Sequence, residues 1–274
     1  MTAQTPFPGI SGATRLLGFL GDPVIHAKSP QNFNPLLAAA GADVVLVPFH
    51  LPQERFDAAI GGVMSIANLD GLVVTMPFKE RLMPRLDEIS QRARAVGAVN
   101  AAKRTAQGRW VGDIFDGVGL VGAVESLGLS PRGMKVGLVG AGGAGAAIAF
   151  ALVEAGVASL GMIDRDRRRA EDLCRRVAQG VGDAAVATGF NVGEIDLLVH
   201  ATPTGMSPGD GIAIDIGGLT SRTAVVDIVT KPDTPLLQAA ASKGCLHVGG
   251  AAMVAAQTRA ILSYFGYAGS ERAG

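Results

Sequence analysis

The chain has 274 residues, of which 48% are hydrophobic and 18% are charged. This composition provides enough apolar side chains for a sizeable core and too little charge for a disordered chain. Lys plus Arg and Asp plus Glu each number 24, and no basic run alternates with aromatic residues, so we expect no nucleic-acid partner. The length predicts one large domain or two modest ones.

The cysteines and the first residues bear on the cellular compartment. Cys174 and Cys245 lie far apart and make no metal-ligand spacing, so we expect neither a metal site nor a disulfide framework. The first 22 residues lack the pattern of a secretion signal, and no apolar run is long enough to span a bilayer. These features favour a cytoplasmic protein without membrane association.

Short β-branched apolar runs alternate with longer segments rich in Ala, Leu and charge, which predicts buried parallel strands between amphipathic helices. In the first half, the predicted strands cover residues 15–21, 44–51, 69–76, 98–104 and 109–115, the last two as a hairpin. The predicted helices begin at Ser29, cover 52–66 and occupy the stretch after Lys79. Ser29 followed by Pro30 is typical of a helix start, with the serine as N-cap.

The second half repeats the alternation more tightly. Its predicted strands cover residues 134–142 (running into a glycine turn), 159–164, 184–188, 196–202 and 223–229. Its predicted helices run from the turn to about Ala155 and over 167–179, 234–244 and 251–264, with a short turn at 247–250. The pattern predicts a two-domain α/β protein. We place the first domain at 1–116, with 251–274 packing back on it, and the second domain at 117–250.

A glycine turn follows the first strand of the second half. Gly140, Gly142 and Gly145 match the G-x-G-x-x-G pattern between a strand and an apolar helix. In that pattern the first glycine permits a tight turn, the second lets the backbone approach a pyrophosphate, and the third lets the helix pack on the strand. Helix N-terminal N–H groups bind phosphate. The segment predicts a dinucleotide site; a structural turn that binds no nucleotide is the alternative.

The residues after the next strand bear on the cofactor. Asp164 follows Gly145 by 19 residues, where a carboxylate that binds the ribose is expected. Such a carboxylate accepts hydrogen bonds from a 2′-hydroxyl and repels a 2′-phosphate, which favours NAD. Arg165 and the arginines at 167–169 keep NADP possible, because arginine often holds that phosphate. Three of these arginines equally fit a solvated helix face.

Lys79 stands where the predicted strand 69–76 opens into a loop. Hydride transfer at an alcohol carbon needs a proton acceptor, usually lysine or histidine. The four histidines have no evident carboxylate partner in the sequence; they are His26, His50, His200 and His247. Burial would lower the pKa of a lysine from about 10.4, and a carboxylate such as Asp116 would fix its amine. The alternatives are a solvated lysine at a helix start and an Asp116 that caps a helix beginning near Val118.

Eight segments of the chain occur in the order found in shikimate/quinate dehydrogenases. They are GFLGDPVIHAKSPQNFN, DGLVVTMPFKE, VGAVNA, GDIFDGVG, GLVGAGGAGAAIA, HATPTGM, VVDIVTKPDTPLL and GGAAMVAAQ. From about Leu17 to Phe265 the chain therefore resembles this family. The resemblance implies a substrate domain, a Rossmann domain and a cleft between them. It also implies NAD(P)-dependent interconversion of shikimate or quinate-like ring acids with their 3-keto forms.

The resemblance carries roles to individual positions. Lys79 matches the catalytic lysine of a T-x-P-F-K motif, and Asp116 matches the aspartate that pairs with it. The substrate-binding positions that it implies are Ser29, Thr75, Asn100, Gln257 and, where the family commonly has tyrosine, Thr230. The cofactor-binding positions that it implies are Gly140, Ala141, Gly142, Gly143, Ala144, Asp164, Arg165, Thr202 and Gly250.

Departures from the family pattern concern the substrate. Ala27 replaces the first serine of a Ser-x-Ser pair that binds a carboxylate, and Ile114 and Phe115 replace Asn-Thr before the aspartate. Losing one charge-assisted hydrogen bond costs about 1.5–3 kcal/mol, or roughly tenfold to hundredfold in affinity. We therefore expect a divergent branch that binds shikimate less well, with the Lys79 and Asp116 chemistry retained.

The predicted function is an alcohol oxidoreductase, a monomer or homodimer, that acts on a small ring hydroxy acid. Lys79 takes the hydroxyl proton, and Asp116 orients the lysine and the hydroxyl. One alternative is a dinucleotide or metabolite sensor that keeps the fold without turnover, which the altered carboxylate site favours. Another is a methylenetetrahydrofolate dehydrogenase, which the order of the motifs fits less well.

Overall fold

The computed structural model describes residues 9–180 and 184–267. The chain forms two compact units, each built on a six-stranded sheet. The first unit holds the described residues up to Ile114 and those from Thr258 onward, and the second is Phe115–Gln257. The two-domain α/β architecture expected from the sequence is confirmed.

The first unit alternates strands and helices and ends in a hairpin. Its strands are β1 (Arg15–Gly21), β2 (Val44–His50), β3 (Leu69–Val74), β4 (Glu88–Ile89), β5 (Ala101–Arg104) and β6 (Trp110–Asp113). Its helices are α1 (Ser29–Ala39), α2 (Phe56–Ser65), α3 (Phe78–Arg81) and α4 (Gln91–Val96). The strand order is β2-β1-β3-β5-β6-β4. Strands β1, β2 and β3 are parallel, and β5 pairs antiparallel with both β3 and β6. Pro48 lies in β2 at the edge of the sheet, the position where strands tolerate proline.

The long helix predicted after Lys79 is wrong. The chain forms the single-turn α3, a 3-10 turn at Met83–Arg85, the short β4 and then α4. Pro84 has no N–H to continue an α-helix, and β4 pairs instead with Val111 and Gly112 of β6. Ser90 begins α4 by accepting a hydrogen bond from the Ala93 N–H at 3.1 Å.

Helix α1 begins differently from the start that the sequence predicts. The N-cap is Lys28, and no side-chain cap bond is formed. Ser29 and Pro30 are the first two helical residues, where proline is tolerated because these N–H groups have no intrahelical partner. The N-cap role predicted for Ser29 is therefore wrong.

The second unit is a doubly wound parallel sheet. Its strands are β7 (Lys135–Val139), β8 (Ser159–Ile163), β9 (Ala185–Thr188), β10 (Leu197–His200), β11 (Ala224–Asp227) and β12 (His247–Gly249). Its helices are α5 (Asp116–Glu125), α6 (Gly143–Glu154), α7 (Arg167–Gly180), α8 (Pro235–Ser242) and α9 (Gly250–Phe265), whose last residues belong to the first unit.

The strand order β9-β8-β7-β10-β11-β12 reverses direction between β7 and β10. In such sheets the carboxyl ends of the two strands at the reversal form the ligand-binding crevice. The strand β12, predicted as a turn, pairs parallel with β11 at the sheet edge; three residues are too few to give a recognisable periodicity. In the described part of the chain, no helix combines the length and apolar character needed to cross a lipid bilayer.

Candidate active site

In the first unit, three predicted site residues lie around the carboxyl end of β3. Thr75 follows the strand and donates its N–H to the Leu20 carbonyl at 2.9 Å. Asn100 is 3% exposed; its carbonyl accepts from the Val74 N–H at 2.8 Å, and its N–H donates to the Asp113 carbonyl. The Lys79 carbonyl accepts from the Val99 N–H at 2.9 Å. Backbone bonds thus fix Thr75, Lys79 and Asn100 at one strand end.

The short helix α3 carries Lys79 and is held by its neighbours. Phe78 is fully buried and stacks on Phe56 with ring centroids 4.7 Å apart. The Arg81 guanidinium lies over the Phe56 ring at 4.6 Å and donates to the Gln53 carbonyl and to an Asp57 carboxylate oxygen. A single helical turn has little stability of its own. These contacts therefore position the half-buried Lys79 side chain.

The other substrate positions predicted from the resemblance are more open. Ser29 is half-buried at the start of α1, two residues after Ala27. Thr230 is exposed in the loop after β11 and belongs to the second unit, whereas Ser29 belongs to the first. Ile114 and Phe115 are buried, with 4% and 5% exposure.

In the second unit, Asp116 and Gln257 are brought together. The Gln257 amide donates to a carboxylate oxygen of Asp116 at 2.6 Å, and Asp116 is 7% exposed. Asp116 is the first residue of α5 and not the N-cap, which is Phe115. A Cβ added at Gly119 would lie 2.8 Å from the Met253 carbonyl oxygen and 2.9 Å from Gln257 Cβ. The missing side chain of Gly119 therefore lets α5 approach α9 closely enough for the hydrogen bond.

Lys79 and Asp116 belong to different units. Their pairing stays a prediction.

The glycine turn has the backbone geometry that its sequence predicts. Gly140 has φ of +107°, which disfavours any residue with a side chain. A Cβ at Gly145 would lie 2.0 Å from the Gly140 carbonyl oxygen, whereas Cβ atoms at Gly142 and Gly143 would meet nothing within 4 Å. The first turn of α6 contains no acidic residue. The turn therefore leaves open space beside Gly142 and Gly143 at a helix N-terminus, which fits a pyrophosphate. Ala141 and Ala144 are half-buried within it.

Asp164 follows β8 and is bound to the same turn. Its carboxylate accepts from the Ala141 N–H at 2.8 Å and from the Asp166 N–H at 2.9 Å. Burial raises the pKa of Asp164, but these N–H donors and the charges of Arg169 and Arg165 outweigh it and lower the pKa below its ordinary value. Asp164 therefore carries a negative charge at neutral pH.

The arginines beside Asp164 are exposed. Arg165 stands at the predicted ribose edge. Arg167 pairs with Glu171 one helical turn away at 2.8 Å, and Arg169 lies 3.7 Å from an Asp166 oxygen. Arg167 and Arg169 are thus engaged with acidic residues of the same segment.

Two residues that the sequence reasoning did not select lie at the carboxyl ends of β10 and β11. His200 and Asp227 are 3% and 0% exposed, and their Nδ1 and Oδ1 atoms are 2.9 Å apart. The Thr202 hydroxyl lies 2.6 Å from the other ring nitrogen. The sequence contains part of the information, because a His and an Asp end two successive strands, and the carboxyl ends of parallel strands meet at one sheet edge. Without the strand order, the two strands could not be known as neighbours.

Gly250, another residue predicted to bind the cofactor, begins α9. A Cβ there would lie 2.2 Å from the Ile228 carbonyl oxygen. The carboxyl edge of the second sheet thus brings together Gly140, Asp164, Thr202 and Gly250.

Comparisons with known proteins show which family the chain belongs to. Residues 19–102 match the model of the shikimate dehydrogenase substrate binding domain. A shikimate dehydrogenase (NADP(+)) of Rubrobacter xylanophilus is 36% identical over 254 residues, which cover 90% of this chain and 89% of the relative. The chain belongs to the shikimate dehydrogenase family. It is accordingly an oxidoreductase of that family.

Solved structures with a similar fold include enzymes with different names. Shikimate 5-dehydrogenase from Listeria monocytogenes, solved in complex with shikimate and NAD, matches with a TM-score of 0.86 and 29% identity over 94% of this chain and 93% of that one. A ligand-free 5-ketofructose reductase of Gluconobacter sp. strain CHM43 matches with a TM-score of 0.85 and 26% identity over 92% of each chain. The family fold thus carries enzymes named for both a ring acid and a ketose.

Proposed function

We propose that the protein interconverts a secondary alcohol of a shikimate- or quinate-like ring acid and the matching ketone. The observation that carries this proposal is the convergence of Thr75, Lys79 and Asn100 at the carboxyl end of β3. The backbone of Lys79 is anchored beside Thr75 and Asn100. The Lys79 amine can therefore receive a proton from a hydroxyl that these two side chains hold. A bound nicotinamide dinucleotide supplies the hydride acceptor or donor.

The chain supplies proton transfer and orientation. Lys79 accepts the hydroxyl proton when the alcohol carbon is oxidised and returns it when the ketone is reduced. Asp116 orients the amine and the hydroxyl, and Gln257 holds Asp116 by its 2.6 Å hydrogen bond. Ser29, Thr75 and Asn100 position the ring, and Thr230 lines it where the family commonly has tyrosine. Such positioning limits the reaction to one face of the carbon.

The residues that depart from the family favour a second class of substrate. Ala27 lacks the hydroxyl that would donate to a ring carboxylate, and Ile114 and Phe115 are buried apolar side chains. A polyhydroxylated ketone without a carboxylate loses less from Ala27 than shikimate does. The structural similarity to a 5-ketofructose reductase supports including this class. We therefore propose a turnover screen of shikimate, quinate and 5-ketofructose.

For the cofactor we propose NAD over NADP. The relative from Rubrobacter xylanophilus is named for NADP(+), and the Listeria monocytogenes structure contains NAD, so the family provides both. In this chain Asp164 places a negative charge at the expected ribose edge, where it would repel the 2′-phosphate of NADP.

The decisive test of the proton-transfer role is Lys79→Met, which keeps the length of the side chain and removes the amine. We expect kcat to fall by roughly 10²- to 10⁴-fold, the usual contribution of a general acid or base. Dinucleotide affinity, measured by the fluorescence of bound NADH, should stay within about twofold of wild type, because dinucleotide binding does not use the Lys79 amine.

Lys243→Met is the matched control, since Lys243 is exposed at the end of α8 in the second unit. It should leave kcat unchanged. A Lys79→Met enzyme with near wild-type kcat would remove Lys79 from the mechanism and leave the family assignment intact.

A further inference from the structure

A buried chain of side-chain hydrogen bonds crosses the carboxyl ends of β10 and β11. The Thr202 hydroxyl contacts His200 Nε2 at 2.6 Å, and His200 Nδ1 contacts Asp227 Oδ1 at 2.9 Å. The Thr234 hydroxyl donates to the other Asp227 oxygen at 2.6 Å. Asp227 and Thr234 are 0% and 1% exposed. Water does not compete for the bonds of Asp227 with His200 and Thr234, so the donors and acceptors of these two bonds must match.

The partners of Asp227 determine the tautomer of His200. Both Asp227 oxygens accept hydrogen bonds from groups that can only donate to them, Oδ1 from the Val229 N–H at 3.1 Å and Oδ2 from the Thr234 hydroxyl, which is the arrangement of a carboxylate that accepts from His200 as well. His200 must therefore carry a hydrogen on Nδ1. In the neutral ring Nε2 is then an acceptor, and the Thr202 hydroxyl donates to it.

The direction of this bond fixes what Thr202 can offer to a ligand. The Thr202 hydroxyl oxygen also accepts from the Thr204 N–H at 3.2 Å. With its hydrogen directed to His200 and one lone pair used, the hydroxyl has one lone pair left. Thr202 is thus an acceptor for a ligand N–H or O–H group, and not a donor.

Thr202 lies against the glycine turn. A Cβ added at Gly140 would lie 2.9 Å from Thr202 Cγ2 and 2.6 Å from the Ala201 carbonyl oxygen. β10 pairs with β7 so that His200 is opposite Val139, the residue before the turn. The remaining lone pair of Thr202 is therefore held at the strand reversal where the sheet binds ligands.

Asp227 also holds the segment that packs under Gly250. The Val229 N–H donates to Asp227, and the Val229 carbonyl accepts from the Gly250 N–H at 3.1 Å. The same carboxylate therefore organises both Thr202 and the start of α9.

We propose that His200 and Asp227 are positioning residues that lock the Thr202 hydroxyl as a hydrogen-bond acceptor for the bound dinucleotide. This inference rests on the proposed function, since it presumes that the glycine turn binds a dinucleotide. The pair touches the ligand only through Thr202 and the backbone of the neighbouring loops.

Three variants separate positioning from a structural role. His200→Asn keeps an amide nitrogen near the place of Nδ1 for Asp227 and removes the contact with Thr202. Thr202→Val keeps the shape and removes the hydroxyl, while Thr202→Ser keeps the hydroxyl. Dissociation constants for NADH and NADPH are measured by fluorescence, and KM and kcat are measured with the ring acid that the wild type turns over.

We expect His200→Asn and Thr202→Val to weaken binding of the preferred dinucleotide by about tenfold, the effect of one hydrogen bond. The KM for the ring acid should stay within about twofold, and Thr202→Ser should bind the dinucleotide like wild type. Unchanged dinucleotide affinity in both Thr202→Val and His200→Asn overturns the inference alone. A wild-type protein that binds neither NADH nor NADPH overturns the proposed function as well.

The tautomer has a readout that needs no ligand and no turnover. In ¹⁵N-histidine spectra of the free wild-type protein at pH 8, the ring signal that His200→Asn removes should show the proton on Nδ1 and an unprotonated Nε2. In Thr202→Val the Nε2 shift should change while Nδ1 stays protonated. A proton on Nε2 in the wild type overturns the inference, because Thr202 would then be the acceptor of the His200 bond.

Discussion

At the scale of single residues, we expect Asp164 to affect dinucleotide binding in two ways. Its carboxylate binds the Ala141 N–H of the glycine turn, and its charge stands at the edge where a ribose is expected. The N–H donors and nearby arginines hold its pKa below the ordinary value, so the charge is present throughout the neutral range. We therefore expect the residue both to order the turn and to oppose a 2′-phosphate.

Replacing Asp164 by asparagine should change cofactor preference. The substitution removes the negative charge and retains one side-chain oxygen. That oxygen can replace only one of the two carboxylate oxygens that accept the Ala141 and Asp166 N–H groups. We expect the ratio of kcat/KM for NADP to kcat/KM for NAD to rise by about tenfold, equivalent to about 1.4 kcal/mol. Steady-state kinetics with both cofactors measures this ratio, and the absolute value for NAD should fall because the turn is less ordered.

Asp172→Asn provides the control for that substitution. Asp172 carries the same charge on the exposed face of α7 and lies 3.2 Å from Arg175. The preference ratio should be unchanged in Asp172→Asn. If Asp164→Asn also leaves the ratio unchanged, Asp164 has no part in the choice of cofactor. A wild-type enzyme with a higher kcat/KM for NADP than for NAD would refute the proposed preference for NAD.

Single residues also show where sequence reasoning stops. Gly140, Gly145 and Asp164 could be selected because their spacing is fixed by one strand, one turn and one helix. His200 and Asp227 could not, because they are 27 positions apart along the chain and their contact depends on which strands are neighbours. Local spacing is readable from the sequence, whereas pairing across a sheet requires its strand order.

At the scale of elements, the helix predicted after Lys79 failed for a reason that concerns the site. Phe78 stacks on Phe56 of α2, and Arg81 donates to Gln53 and Asp57. These contacts stabilise α3 although it has only one turn. Pro84 then prevents continuation, and β4 finds a partner in β6. The amphipathic pattern was real, but tertiary contacts decided the structure. The hairpin of β5 and β6 was predicted because its pairing is local.

The close packing of α6 on β7 depends on Gly145. A Cβ at this position would lie 2.0 Å from the Gly140 carbonyl oxygen, and a backbone atom cannot move aside without moving the turn. Gly145→Ala should destabilise the fold by about 1–3 kcal/mol, the usual cost of overpacking. We expect a fall of several degrees in Tm, measured by circular dichroism, together with weaker NADH binding.

Gly143→Ala is the matched control because it adds the same methyl group to the same helix. A Cβ there would meet nothing within 4 Å, so its Tm should equal that of the wild type or exceed it slightly. Equal Tm values for Gly143→Ala and Gly145→Ala would show that the third glycine of the turn is not required for packing.

At the scale of the whole molecule, the first and the last described residues belong to the same unit. The chain leaves the first unit after Ile114 and returns at Thr258. The returning segment is held by Tyr264, whose hydroxyl donates to the Val111 carbonyl at 2.7 Å, and by Lys103, which donates to the Tyr264 carbonyl at 2.9 Å. A Cβ at Gly71 would lie 2.5 Å from the Phe265 ring, so β3 and the end of α9 are in close contact.

The two-unit architecture was predictable because the order of motifs is characteristic of one family. The point at which α9 passes from the second unit to the first was not, because it depends on Gly119 and Gly122, whose missing side chains admit Met253 and Ala256. Small residues are frequent throughout this chain, which has 38 glycines. Their number hides the few positions at which a close helix contact requires glycine.

The return of the chain should make the stability of the first unit depend on pH through Asp70. Its carboxylate accepts hydrogen bonds from Arg15 and, at 2.7 Å, from the Tyr267 hydroxyl. Burial raises the pKa of Asp70, but these two partners outweigh it and hold the pKa below its ordinary value of 3.8. A carboxyl with a depressed folded-state pKa stabilises the fold above its unfolded pKa. That contribution is lost as the pH falls through the folded value.

Asp70→Asn should therefore lower Tm at pH 7. The difference from wild type should begin to shrink below about pH 4, the pKa of an unfolded aspartate, and should go on shrinking as the pH falls toward the lower folded-state pKa of Asp70. Thermal unfolding from pH 3 to pH 7 measures the difference. Tyr267→Phe, which removes one donor to the carboxylate, should give a smaller difference that also narrows in acid. A difference for Asp70→Asn that stays constant over this range would mean that the carboxylate charge does not hold the returning segment. In that case the packing of Phe265 and Tyr264 would close the first unit without it.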